Sequence, residues 1–310
     1  MTTPAPETVA RGVRRVQVPM PPGTGPAFSN AYLIDDADGR VHVVDPGSPT
    51  AEARAALSAA IGEAAVGSIV VTHLHADHAG GAGALRERTD ARVLLHERER
   101  AALGRIAIGV PAPDLEAWGV PEDRRTELVA AAAVPTAPAA EFVDEVLDGV
   151  LTDAQLLDVP GRRLRVIGTP AHTDGHLCLH DEEAGLLFTG DHVLPTINPG
   201  LGLGGPTDTN PIADYLASLD RTAVLDTGAL RALPGHEDPF TGVRERCATL
   251  AAHHLRRTEE VAASTGATVW EVASGLTWTG GWDVLGGFTL LSALRQTAQH
   301  RELVARRRGI

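Results

Sequence analysis

The chain has 310 residues, 43% hydrophobic and 22% charged, a balance ordinary for a globular protein with a large buried core. Its net charge is −13, and all 27 basic residues are arginine. From Arg244 onward there are nine arginines against six acids, so the body before it carries −16, which makes phosphate-rich polymers poor default partners.

The opening MTTPAPETVARGVRR has no apolar stretch of signal-peptide type, and no run long enough to span a membrane occurs. Cys178 and Cys247 are too few for a disulfide framework and lack metal-ligand spacing. The expected compartment is a reducing cytoplasm, with no membrane partner.

In chain order, residues 1–25 are proline-rich and show no period. Asn30–Asp36 and Arg40–Gly47 read as strands joined by an Ala-Asp-Gly turn, a hairpin. Thr50–Ile61 has helical spacing. Ser68–Val71 and Ala91–Leu95 are short strands. Residues 97 to about 150 are alanine-rich and broken by prolines, which predicts an inserted helical cover. In it Ile106, Ile108, Val110, Leu115 and Trp118 could form one apolar face, either packed on the body or shaping a lid. Strands return at Leu164–Ile167, Leu177–His180, Gly185–Thr189 and Ala229–Leu233. From Gly242 three helices are predicted, to about Ser264, around Val269–Ser274, and from Leu290 to about Arg306.

Chemistry concentrates in VTHLHADHAGGAG, where His73, His75, Asp77 and His78 follow a strand directly. Three more segments repeat this grammar of strand, small residue, then ligand: PAHTDGH offers His172, FTGDH offers Asp191, and PGHED offers His236. Neutral imidazole and carboxylate suit zinc and similar divalent ions, and these seven side chains suffice for two. His42, His96, His180, His253 and His254 read instead as structural or solvated histidines, and Tyr215 as helical core. Asp45, His192 and Glu237 are candidates to orient the ligands. Thr196 and Asn198 are candidate substrate contacts in the loop after Asp191, which is expected to line the mouth.

HLHADH, PAHTDGH, FTGDH and PGH, in that order, resemble the metallo-β-lactamase superfamily over roughly Ala27–Pro239. The resemblance implies an α+β fold: a four-layer αββα sandwich of two mixed sheets. It implies His73, His75 and His172 on one metal, Asp77, His78 and His236 on the other, and Asp191 bridging. The ions would most simply be Zn2+, with Mn2+ or Fe2+ as alternatives. Asp191 stands where penicillinase-type members often carry cysteine, which argues against antibiotic hydrolysis. The segments GDHVLPTINPG and PGHEDPF are similar to the branch of β-lactamase-like protein 2, which implies a winged-helix-like tail. The domains expected are therefore a catalytic 1–243 and a helical 244–310. Where family members carry glycine before the third ligand, this chain has Ala171.

The implied activity is hydrolysis of an ester, thioester or lactone of a small, partly apolar substrate by a metal-bridging hydroxide. Asp77 would serve as the catalytic proton-handling group. The alternative is a metal-dependent endoribonuclease or other phosphodiesterase, weakened by the absence of a broad basic patch. The tail could also pair two copies as a homodimer.

Overall fold

Glu7–Ala10 (β1) and Val13–Pro19 (β2) pair as an antiparallel hairpin, where the sequence pattern suggests no regular structure. The reason is burial on both faces. Val13 joins one core while Val16 and Val18 join another, so the alternation of a half-exposed strand is missing. Arg15 adds to the disguise, because its buried guanidinium is paired with Glu7 and Asp238. The computed structural model describes residues 5–22, 26–107, 114–133, 146–205 and 207–309.

Phe28–Asp35 (β3) and Val41–Val44 (β4) form the expected hairpin. Ala51–Ile61 (α1) starts where the Thr50 hydroxyl accepts from the Ala53 N–H. Val66–Val70 (β5) lies parallel to β4, and Arg92–His96 (β6) parallel to β5. Between them lie Ala76–Ala79 (α2) and Ala82–Thr89 (α3). Glu97–Ala107 (α4) and Glu122–Ala133 (α5) follow, and then Gly149–Leu151 (β7) adds parallel to β6. The insertion is therefore a crossover between neighbouring parallel strands. Its last residues are strand rather than helix, too short a stretch to show a period.

The second sheet holds Leu164–Gly168 (β8), Leu177–Asp181 (β9), Leu186–Gly190 (β10), Arg231–Pro234 (β11) and Phe240–Thr241 (β12). Pro211–Ala223 (α6) links β10 to β11, capped by the Asn210 side chain with proline at its first position. The sheet orders are β1-β2-β3-β4-β5-β6-β7 and β12-β11-β10-β9-β8. Both mix parallel and antiparallel pairs.

Three apolar cores define four layers. One lies between α1, α3 and the first sheet, around Leu57, Leu85 and Ile69. A second lies between the sheets, around Tyr32, Ile34, Leu179 and Phe188. A third lies between the second sheet, α6 and the tail, around Leu187, Tyr215 and Leu250. The expected αββα sandwich is the observed one. Neither tyrosine serves a site: the Tyr32 hydroxyl donates to Pro234 O and the Tyr215 hydroxyl to His192 O.

The tail comprises Val243–Ala263 (α7), Val269–Ser274 (α8), a 3-10 turn at Trp282–Val284 and Gly287–Arg308 (α9). The described residues after Thr241 are helical and contain no strand. The Gly-rich turn between α8 and α9 closes by stacking Trp270 edge-on against Trp282. α7 begins at the expected domain boundary, yet its Val243, Cys247 and Leu250 belong to the core under the second sheet.

The insertion packs on this tail. Leu115, Val120 and Leu128 share a core with Val269, Leu290, Leu291 and Leu294, with Trp118 against it. The Trp270 N–H donates to Trp118 O. Leu115 and Trp118 thus cover α8 and α9; the Ile106 side chain, Ile108 and Val110 lie outside the described residues.

Phe188 sits edge-on to Tyr32 between the sheets, with ring centroids 5.3 Å apart, and is fully buried. Phe188→Ala should cost about 3–5 kcal/mol through lost burial and a residual cavity, read as a lower urea midpoint at unchanged slope. A shift under about 1 kcal/mol would mean the two sheets do not depend on this contact.

Candidate metal centre

All seven predicted side chains meet where strands of both sheets end. His73, His75, Asp77 and His78 follow β5, His172 follows β8, Asp191 follows β10 and His236 follows β11. Backbone bonds sew the sheets together here: Leu177 N–H donates to Thr72 O at 3.0 Å, and Asn30 N–H to Gly235 O at 2.7 Å.

The ligand atoms fall into overlapping groups: His73, His75 and His172; Asp77, His78 and His236; and His73, His78 and Asp191. In the first, His75 Nδ1 lies 3.0 Å from His73 Nε2 and 2.9 Å from His172 Nε2. In the second, His236 Nε2 is 3.2 Å and His78 Nε2 3.6 Å from Asp77 Oδ2. Asp191 lies between the groups, 3.5 Å from His78, His172 and His236 alike.

The surrounding hydrogen bonds dictate which nitrogen faces the centre. His78 Nδ1 donates to Asp45 Oδ2 at 2.9 Å, His172 Nδ1 to Gly200 O at 2.7 Å, and His236 Nδ1 to Phe28 O at 3.1 Å. The Thr72 hydroxyl donates to Asp45, which leaves its oxygen to accept from His73 Nδ1 at 3.0 Å. With Nδ1 protonated, each of these rings turns an Nε2 lone pair inward. Buried His78 Nε2 and Asp191 Oδ1 have no hydrogen-bond partner. Lone pairs facing lone pairs across about 3 Å suit a divalent cation and little else. The residues present therefore fit two such ions.

Electrostatics split the centre in two. Burial pushes His73 well down and His75 down to about 3, and the neighbouring rings reinforce this. Burial lowers His172 also. Burial would lower His78 and His236 too, but the carboxylates of Asp191 and Asp77 overturn it, holding them up at about 9 and about 11. Burial would raise the two carboxyls, yet His78 and His236 keep both below the ordinary range. One group is neutral imidazole, and in the other imidazole and carboxylate hold each other by mutual attraction, a pairing that a divalent cation would replace.

Of the expected orienting residues, Asp45 does this directly. It accepts from the Thr72 N–H, the Thr72 hydroxyl and His78. His192 lies behind the site on Thr222, and Glu237 accepts from Thr196 and the Ile197 N–H, so neither touches a ligand ring. Sequence reasoning missed His176. It is fully buried, its Nδ1 bonds the Thr169 hydroxyl, and its Nε2 accepts from the Asp191 N–H at 3.1 Å. It positions the backbone of the central carboxylate. Its place four residues after His172 was the available signal. His42 bonds Ser68 and Asp36, away from the centre, while Cys178 and Cys247 are buried free thiols pushed up to about 12 by burial.

Residues 24–236 match the model of the metallo-beta-lactamase superfamily. The chain belongs to that superfamily. Its members use divalent metal ions, usually zinc, and the homologues of this chain are hydrolases. The acyl-coenzyme A thioesterase MBLAC2 of Bos taurus is 31% identical over 198 residues, covering 61% of each protein; the chain thus spans less than two thirds of that relative. A hydroxyacylglutathione hydrolase of Cupriavidus taiwanensis is 31% identical over 223 residues, covering 71% of this chain and 67% of that one. Among solved structures, a metallo-beta-lactamase family protein of Thermus thermophilus is 33% identical with a TM-score of 0.69, over 97% and 95% of the two chains. A β-lactamase domain protein of Burkholderia ambifaria is 26% identical with a TM-score of 0.80, over 96% and 88%. No described helix is long and apolar enough to cross a membrane.

Two substitutions probe the backbone of the centre. A Cβ on Gly235 would fall 2.6 Å from both Asp191 Oδ1 and His78 Cε1. Gly235→Ala should therefore strip bound metal from the folded protein, measured by elemental analysis beside an unchanged far-ultraviolet spectrum. Ala171 has φ +155°, a conformation open to glycine but strained for alanine. Ala171→Gly should raise the melting temperature or leave it unchanged, as relief of about 1–3 kcal/mol of strain exceeds the entropic cost of glycine. A clear fall would show that the strain is absent.

Proposed function

We propose that the chain is a dinuclear metal-dependent hydrolase of thioesters, with His73, His75 and His172 holding one ion, Asp77, His78 and His236 the other, and Asp191 both. The observation that carries this is the convergence of seven nitrogen and oxygen donors on overlapping groups with Asp191 between them. Relatives named for thioester cleavage, one on coenzyme A and one on glutathione thioesters, support the choice of bond. Bound divalent ions would supply Lewis acidity and lower the pKa of water at the site towards neutrality.

The chain's own residues do the rest. His73, His172, His78 and His236 are locked by their Nδ1 bonds, so the site needs little reorganisation during reaction. Asp77 is the carboxylate more open to solvent, with its side chain 21% exposed against 10% for Asp191. It is the group placed to accept the attacking water's proton and return it to the leaving thiolate. Asp191 is the structural bridge, pinned through its own N–H by His176. Two buried free thiols suit the reducing cytoplasm we propose as its location.

The phosphodiesterase alternative rests on the branch resemblance and the winged-helix-like tail and is weak electrostatically: its one basic run, Arg306–Arg308, is partly spent, since Arg306 pairs with Glu302 and Arg308 donates to Ala262 O. Metal-loaded protein should hydrolyse acyl thioesters faster than lactones and leave RNA intact. Asp77→Ala should lose about 10²-fold or more in kcat while still folded. Equal rates for the two proteins, or RNA cleavage without thioester turnover, would overturn the assignment.

A further inference from the structure

Thioesters differ in the thiol they release, and a second cavity bears on which thiol this protein takes. A cleft of about 440 Å³ opens between α7, α9 and the loop after Asp191. Its volume is in the range of small-molecule sites. Arg256 and Arg257 line it, with Asn198, Trp278 and Gln296. Arg256 is exposed and has no ion pair or hydrogen bond to the described residues. Arg257 is buried, donates to Glu260 and to Thr277 O, and stacks 4.3 Å over Trp278, yet its Nε is without a partner. Glu260, half exposed, is the carboxylate lining the cleft, so two guanidinium groups face one acid. This excess of positive charge sits in the +3 tail of an otherwise acidic chain.

The cleft is tied to the metal centre by one loop. Arg246 donates to Leu194 O, Ile197 O and the Asn198 side chain, while Glu237, next to His236, accepts from Thr196 and the Ile197 N–H. Asn198 lines the cleft, and Gly200, two residues on, accepts from the ligand His172. From Arg246 to Arg256 the helix advances about 15 Å. Measured from the Arg246 end of α7, which bonds Leu194 just after Asp191, a ligand that extends to Arg256 needs a linker of about that length between its thioester and its charge. A tripeptide thiol extends about 10 Å in all. An exposed guanidinium recognises phosphate oxygens bidentately, and the exposed part of an indole offers apolar contact to a purine. Beside Trp278 and Gln296 a second, apolar groove of about 180 Å³ continues past Phe288.

We propose that this cleft binds the phosphorylated nucleoside of the leaving thiol, as coenzyme A carries it, with phosphate on the exposed Arg256 and the base beside Trp278. The assignment of the thiol rests on the thioesterase reading above; the binding site does not.

The test separates the two. Arg256→Glu reverses the exposed, unpartnered charge, and Arg256→Lys retains it. Calorimetry with adenosine 3′,5′-bisphosphate should show binding by wild type and by Arg256→Lys, weakened about tenfold or more in Arg256→Glu. Kinetics should show KM for an acyl-coenzyme A raised similarly in Arg256→Glu at unchanged kcat, with no change for an acyl thioester of N-acetylcysteamine, which lacks the nucleotide. No binding of the bisphosphate by wild type, equal binding by Arg256→Glu, or equal KM effects on both thioesters would overturn the cleft. Binding that behaves as expected in a protein that cleaves none of the thioesters would leave the cleft standing and remove the thioesterase reading.

Discussion

A carboxylate with its side chain 10% exposed, ringed by imidazoles, is tolerable only where those rings carry positive charge or share a cation with it, and either way the rings must be held in place. Asp191 is such a carboxylate, and much of the neighbouring architecture serves that condition. Asp45 orients His78 and, through the Thr72 hydroxyl, His73. Backbone carbonyls at Gly200 and Phe28 orient His172 and His236. His176 holds the Asp191 backbone from behind. Apart from the contact between the neighbours Thr72 and His73, these bonds span different elements, so the geometry of the cluster is a property of the two-sheet seam and not of any one loop. The lack of a Cβ at Gly235 belongs to the same constraint, since the chain there passes against Asp191 and His78.

The helical parts form a second level of organisation. α6 and the first half of α7 complete the sandwich, joined by Leu303 of α9, whereas α8 and the start of α9 build a second apolar core with the insertion and its α5. The insertion and the tail are distant in sequence yet share this core, so neither is a free appendage. Around it lie the guanidinium groups and indoles that give the molecule a positive cleft against an acidic body. The loop from Val193 to Gly205 joins the levels: it carries the carbonyl that orients His172, it is strapped by Arg246 and Glu237, and Asn198 on it borders the cleft. The cleft and the cluster of histidines and aspartates thereby share one segment.

Much of this was legible in the residues. Strands such as Leu186–Gly190 end in a small residue and then a ligand, and that grammar, repeated four times in order, named all seven side chains that the fold brings together. The β3–β4 hairpin, α1 and the tail helices followed from turn residues and period. The hairpin at Glu7–Pro19 was hidden because β2 is buried on both faces and carries a paired arginine inside. β7 and β12 were hidden because strands of three and two residues have no period.

The residues by themselves determined which donors exist and on which strand ends they stand, because strand periodicity and the small residues after it are local properties of the chain. Tertiary structure alone decided that Asp45 and His176 hold the ligands, that Glu237 and His192 do not, that Leu115 and Trp118 dock on the tail, and that Arg256 faces a cleft. Those outcomes depend on contacts between segments tens to more than a hundred residues apart, and such contacts leave no pattern in the local sequence.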